Sequence, residues 1–183
     1  CRFHTNGYGI LSSLSESITI DNCSFSHNGI GAFLYETQNI TITNSNADTK
    51  GIGYLCERSS NIYISDSAAR DNDDNEGGIF FVDCNDIHII NCYIVNNGFG
   101  VNLINSSDCF IDRCNFSLNT HFSCRLVNSV SNMIVTNCIF TKNLRYGLYA
   151  ENSVFTISKS NLFKNKNYGL YAKSSIIDAR YNW

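Results

Sequence analysis

Proline is absent from all 183 residues. Every backbone N–H therefore remains available to a ladder, which suits an unbroken succession of strands. Helical periodicity is missing too: nowhere do apolar residues recur at 3.6, so helices are excluded throughout. No apolar run approaches the ~18 residues that mark a membrane-crossing helix, and membrane insertion is not expected. Charge is sparse, with 13 Lys and Arg against 16 Asp and Glu and a net charge of −3. With no basic block, a phosphate backbone finds little to neutralise, so nucleic acid is not an expected partner. Cys-x-x-Cys pairs are lacking, which disfavours zinc. The chain opens on Cys1 without an initiating Met or a secretory leader, as expected of a processed or excised piece of something longer.

Two features stand out among what is present: 43% hydrophobic residues, enough for one core-bearing domain over 1–183, and 26 Asn. Asn tolerates the left-handed backbone region and can stack its amides from rung to rung. An internal repeat organises both. The pairs Ile18/Ile20, Ile40/Ile42, Ile62/Ile64, Ile87/Ile89, Cys109/Ile111, Met133/Val135, Phe155/Ile157 and Ile177/Ala179 begin 22, 22, 25, 22, 24, 22 and 22 residues apart. Five residues on runs a second column, Cys23, Ser45, Ser67, Cys92, Cys114, Cys138, Ser160 and Asn182. Two further on runs a third, Phe25, Ala47, Ala69, Ile94, Phe116, Phe140 and Leu162.

Such spacing reads as strand, one-residue bend, strand. The bend column is Asn22, Asn44, Asp66, Asn91, Arg113, Asn137 and Lys159, mostly residues that accept a left-handed conformation cheaply. Asn28, Asn72, Asn97, Asn119, Asn143 and Asn165 mark the next turn. Each coil re-enters through Gly9, Gly31, Gly53, Gly78, Gly100, Gly147 or Gly169, with Ser123 in the sixth. The expected fold is all-β: a right-handed, single-stranded parallel β-helix of about eight coils, each of about 22 residues with three short strands. At the interstrand spacing of a sheet it forms a rod of about 38 Å. The expected inward columns are Tyr8, Ile30, Ile52, Phe99, Phe122, Tyr146 and Tyr168 before the glycine. After it come Ile10, Ala32, Tyr54, Ile79, Val101, Cys124, Leu148 and Leu170.

This pattern resembles the repeats of the pectate-lyase-like superfamily over essentially the whole chain. The ending from Asp178 to Trp183 resembles the D-A-x-x-N-W close of repeats in NosD-like and other microbial surface proteins. The units Phe25 to Asn28, Phe116 to Asn119 and Phe140 to Asn143, with Gly77-Gly78-Ile79, resemble repeats of polymorphic outer-membrane proteins. A NosD-like role in metal delivery is disfavoured by one Met and four scattered His.

Several groups are candidates for chemistry. Cys23, Cys56, Cys92, Cys109, Cys114, Cys124 and Cys138 fall on inward columns. Free stacked thiols are favoured over disulfides there, because parallel-stacked Cβ atoms sit farther apart than a relaxed bridge prefers. The longest coil carries Asp71, Asp73 and Asn75 at the spacing that opens a calcium loop, but Glu76 stands where the sharp-turn Gly belongs and Val82 where the closing Glu would fall. Calcium is thus the one cofactor entertained. Asp86, His88 and Asp108 project outward on adjacent coils, with Asp112 and Arg113 at the bend. Paired carboxylates of this kind can serve glycoside hydrolysis, although the Asn-Thr-Asp, Asp-Asp and Gly-His-Gly signatures of galacturonases are absent. Sequons occur at Asn22, Asn39, Asn105 and Asn115.

The column two beyond each glycine reads Leu11, Phe33, Leu55, Phe80, Asn102, Arg125, Tyr149 and Tyr171, and its neighbour adds Tyr35, Val82, Ile104 and Val127. Outward residues are usually polar, so this apolar stripe, centred on Phe33, Tyr35, Leu55, Phe80, Tyr149 and Tyr171, is the expected partner site. In the families resembled, the same face commonly carries the substrate groove. The expected function is a non-enzymatic extracellular or cell-surface module, or a periplasmic one, that is structural, adhesive, or binds polysaccharide or another protein. The alternative is a carbohydrate-active lyase, hydrolase or epimerase. An open solenoid also exposes strand edges at its ends, so a longer parent solenoid or end-to-end or lateral self-association is expected.

Overall fold

A computed structural model describes residues 1–72, 77–129 and 131–183. The first coil shows the plan: strands Arg2–His4, Tyr8–Ser13 and Glu16–Asp21, each beginning a different sheet. Seven further coils stack on it, and each of the three sheets holds eight parallel strands in chain order. Described here in the order the chain visits them, the first sheet has three-residue strands and the second has six-residue strands. The repeat read from the sequence is the hydrogen-bonded register. Ile40 lies beside Ile18, Ile62 beside Ile40, Ile87 beside Ile62 and Cys109 beside Ile87. The register is kept across the two longer coils, with Ile87 beside Ile62 and Met133 beside Cys109.

Inside the solenoid, like stacks on like. Ile40, Ile62, Ile87, Cys109 and Met133 are almost wholly buried, each apolar side chain of this size contributing about 1.5–3 kcal/mol on leaving water. Phe116 and Phe140 stack at 4.7 Å with rings 4° from parallel. Coil-to-coil packing is close enough to dictate glycine. A Cβ on Gly31 would lie 2.3 Å from the carbonyl oxygen of Gly53.

The bends behave as their residue types predict. Asn22, Asn44, Asp66, Asn91, Arg113, Asn137 and Lys159 all adopt positive φ, from 49° to 53°. Buried turns use side chains to satisfy backbone N–H groups that the tight turn leaves without strand partners. Asn97 N–H donates to Asn119 Oδ1 at 3.1 Å, Asn119 N–H to Asn143 Oδ1 at 3.0 Å, and Asn143 N–H to Asn165 Oδ1 at 3.2 Å. Each Asn amide in turn donates to a carbonyl, as Asn97 Nδ2 does to Ala69 at 2.9 Å. The serine and cysteine column works alike: Cys23 N–H donates to Ser45 Oγ at 3.1 Å and Cys114 N–H to Cys138 Sγ at 3.5 Å. A third column at the remaining turn, Thr37, Ser59, Cys84, Ser106, Ser129 and Ser153, is also buried. Thr37 N–H donates there to Ser59 Oγ at 3.1 Å. All nine cysteines are free thiols, and Cys84 joins the buried set.

One inward column is corrected. Tyr8, Ile30, Ile52, Phe99, Phe122, Tyr146 and Tyr168 lie on the outside of the second sheet, with Tyr8 48% and Tyr168 55% exposed. In the second coil both Gly31 and the next residue, Ala32, are buried, so strict alternation fails where the strand enters.

Candidate functional site

The outer face of the second sheet therefore carries two aromatic columns rather than one. Phe99, Phe122, Tyr146 and Tyr168 form a ladder, with Phe122 and Tyr146 5.2 Å apart and 8° from parallel, and Tyr146 and Tyr168 at 5.9 Å and 13°. Beside it Tyr149 and Tyr171 stack at 5.5 Å and 12°. Rings of the two columns meet at steeper angles, 56° for Phe122 with Tyr149. Toward the N-terminus Phe33 contacts Tyr8 at 6.1 Å and Tyr35 at 6.3 Å, and Phe80 meets Phe99 edge-on at 6.0 Å. All six residues of the expected stripe lie on this face. Phe33, Tyr35, Phe80, Tyr149 and Tyr171 are half-buried, while Leu55 is sunk to 8% exposure and Asn102 to 3%.

Charged groups edge the aromatic surface. Lys173 Nζ lies 2.7 Å from Glu151 Oε1, and Glu151 also accepts the Tyr149 hydroxyl at 2.9 Å. The ammonium and then the phenol hold the Glu151 carboxyl below its ordinary value, and Glu151 holds Lys173 above its own. Burial first, then the bond to Glu151, raises the Tyr149 phenol. Arg125 lies 5.8 Å over the Phe122 ring and donates to Asn102 Oδ1 at 3.3 Å. Arg58 reaches the Tyr35 hydroxyl at 2.9 Å.

The alternative acid and base residues sit elsewhere, on the third sheet and the bends beside it. Asp86 Oδ1 is 3.3 Å from His88 Nε2, and the His88 ring lies 6.3 Å from Tyr63 and 6.0 Å from Phe110. Asp108 and Asp112 act as rungs: Asn132 Nδ2 donates to Asp108 at 2.6 Å and Asn137 Nδ2 to Asp112 at 2.7 Å. Arg113 adds a 3.0 Å contact to Asp112, itself nearly buried. The same coil-to-coil bond recurs where Asn91 donates to Asp66 and Asn96 to Asp71. An outer Asn/Asp ladder thus ties down carboxylates that an isolated reading makes catalytic. Of the expected calcium ligands, Asp71 accepts this Asn96 bond at 2.7 Å, whereas Asp73 and Asn75 lie outside the described residues. Among the described residues, no three His, Cys, Asp or Glu side chains gather to hold a metal ion.

Residues 1–98 and 72–178 match the family model for a right-handed β-helix region. The chain belongs to that family. No curated protein matches it in sequence. Among solved structures this β-helix is similar to the periplasmic alginate epimerase AlgG. A doubly substituted form of AlgG superposes with a TM-score of 0.79 at 21% identity, over 84% of this chain and 37% of that one. A second AlgG structure gives 0.68 at 15% identity, over 87% and 50%. The surface protein and adhesin PfbA of Streptococcus pneumoniae gives 0.51 at 11% identity, over 94% and 67%. The chain thus spans between 37% and 50% of the length of the epimerase structures it resembles. At these identities the likeness is one of fold.

Sequence reasoning missed the outer position of Phe99, Phe122, Tyr146 and Tyr168. The signal was available: four aromatics at one register position, each followed by a glycine or serine on the side that faces the interior.

Proposed function

We propose that this β-helix is a non-enzymatic binding or adhesive module of an extracellular, cell-surface or periplasmic protein, and that it holds a polysaccharide along the outer face of the second sheet. One observation carries the reading: aromatic side chains stand on this face in every coil but the third, unbroken in one column from Phe99 to Tyr168 and doubled in the last two coils by Tyr149 and Tyr171. Aromatic rings combine large contact area with little conformational entropy, and an exposed contiguous apolar surface marks a partner site. Coils repeat every ~4.8 Å, close to the length of one sugar residue in an extended chain, so successive sugars can lie against successive coils. The names of the structural neighbours, an alginate epimerase and an adhesin, are in keeping with such a module.

Affinity electrophoresis in gels containing soluble polysaccharides tests the proposal, alongside assays for reducing ends, unsaturated products and epimerised sugars. Retention without turnover is expected, together with loss of retention when Phe33, Phe80 and Tyr149 are all replaced by Ser. Turnover that disappears in His88→Ala would replace the binding module with a carbohydrate-active enzyme centred on Asp86 and His88.

A further inference from the structure

The class of polysaccharide follows from the charge on the face, on the reading that the second sheet binds a glycan. Outward positions of its eight strands hold four charged side chains: Glu57, Arg125, Glu151 and Lys173. On the strands themselves two carboxylates and two cations sum to zero, and at their edge Arg58 is paired with Glu36 at 3.4 Å. Lys173 is already committed to Glu151 at 2.7 Å. Arg125 packs over Phe122 and bonds to the neutral Asn102.

A polyuronate lying along the rod would place about one carboxylate on every coil, at the ~4.8 Å coil spacing. Eight strands would then face a row of anions with no net positive charge to meet them. Carboxylates stripped of water without partners oppose binding, and like charge near Glu57 opposes it further. A neutral glycan brings only hydroxyls and C–H faces.

The tyrosines of the last two coils supply the matching groups. Tyr146 stacks on Tyr168 and Tyr149 on Tyr171, within 13° of parallel. Stacking along the axis uses the ring faces on each other, which leaves hydroxyl-bearing edges for solvent. Four phenols then form a grid, two per coil: Tyr149 donates its proton to Glu151 and so presents acceptor sites, while Tyr146, Tyr168 and Tyr171 present donor and acceptor alike to sugar hydroxyls. By contrast, Phe33 and Phe80 have aliphatic or amide neighbours in their own column, Leu11, Leu55 and Asn102. They offer apolar contact but no hydrogen bonds.

We propose that this face selects a neutral, hydroxyl-bearing polysaccharide over polyuronates, with the grid of Tyr146, Tyr149, Tyr168 and Tyr171 as its hydrogen-bonding subsite. The intact chain is run through native gels containing β-glucan, xylan or galactomannan, and through gels containing alginate or polygalacturonate, each at low and high salt. Retardation by at least one neutral polymer is expected, unchanged by salt, since no ion pairs are made. Tyr149→Ser with Tyr171→Ser should weaken it about tenfold or more, a loss of about 1.4 kcal/mol. Tyr149→Phe with Tyr171→Phe keeps the ring stack and the fold, and should weaken binding as well; wild-type affinity in that pair overturns the hydrogen-bonding role of the grid. Salt-sensitive retention by alginate or polygalacturonate, with none by neutral polymers, overturns the selectivity while leaving the glycan face intact. Retention by no polymer of either kind overturns the glycan face itself.

Discussion

The inside and the outside of this solenoid are both built of ladders, yet the two sets differ in what holds them. Within the turns, Asn97, Asn119 and Asn143 stack because each must accept an N–H from the coil before it, in a place water does not reach. On the outer face, Phe122, Tyr146 and Tyr168 stack at the same repeat with water at their edges. A missing inner rung leaves a buried donor unsatisfied, whereas a missing outer rung leaves a solvated gap. Repetition is therefore obligatory inside and optional outside. Where the optional ladder is aromatic, as on the second sheet, it is available for recognition.

The contrast is most visible in thiol reactivity. Burial pushes the Cys56, Cys109 and Cys124 thiols well up, and raises Cys84 to about 11. Hydrogen bonds to Cys138 and Cys92, followed by burial, raise Cys114. A thiolate-selective alkylating reagent at mildly alkaline pH should modify exposed Cys1 in minutes and the seven buried thiols only on unfolding, a difference of orders of magnitude. Mass spectrometry counts the adducts. Rapid labelling of Cys114 in the folded protein would show that the inside is not closed.

Replacing one inner rung comes next. Asn119→Ala removes the acceptor of the Asn97 N–H and the amide that donates to Ile94 at 3.1 Å. With the buried Asn97 N–H and its side-chain amide both losing the Asn119 acceptor, at about 1–3 kcal/mol each, a loss of at least about 2 kcal/mol is expected in urea unfolding. A loss below 0.5 kcal/mol, in the range of an ordinary surface substitution at roughly ±0.5 kcal/mol, would erase the distinction between the two ladders.

Tyr54 sharpens the comparison in the opposite direction. It is a tyrosine on an inner column, almost wholly buried, and among the described residues its hydroxyl finds no hydrogen-bond partner. Tyr54→Phe should leave the packing intact and stabilise the fold by about 1 kcal/mol, because an unpaired buried hydroxyl is removed. A lowered melting temperature in this variant would mean that the hydroxyl is satisfied within the core.

The smallest effect belongs to the outer ion pair. Glu151 is held below its ordinary pKa by Lys173 and Tyr149. Its contribution is fully present above the unfolded glutamate pKa and disappears as pH falls through the lower folded value. Lys173→Gln should move the Glu151 titration, followed by NMR, back toward an ordinary glutamate, with little change in stability because both groups face solvent and are screened. An unmoved titration would show that the pair makes no contact in solution.

Much of this was legible in the residues. Left-handed bends at Asn22 through Lys159 follow from residue type and spacing, as does the register that carries Ile62 to Ile87 across a longer coil. The turn column of Thr37, Ser59, Cys84 and Ser106 is equally regular, but small polar residues are as common on a surface as in a buried turn. Misplacing Tyr8 and Tyr168 had a sharper cause. Counting by twos assumes unbroken alternation, and the glycine after each of them, lacking a Cβ, conceals that two successive positions point inward.

What the sequence determined by itself is the period, and with it the coils, their bends and the pairing of each residue with its counterpart one coil away. These depend on local preferences repeated at a constant interval, which a linear reading captures. Only the tertiary structure decided which columns face the solvent at the entry to each strand, and that Asp108 and Asp112 serve as rungs beneath Asn132 and Asn137. Those outcomes depend on contacts between coils more than twenty residues apart in sequence, where the available space and the nearest donor, rather than residue type, set the role of a side chain.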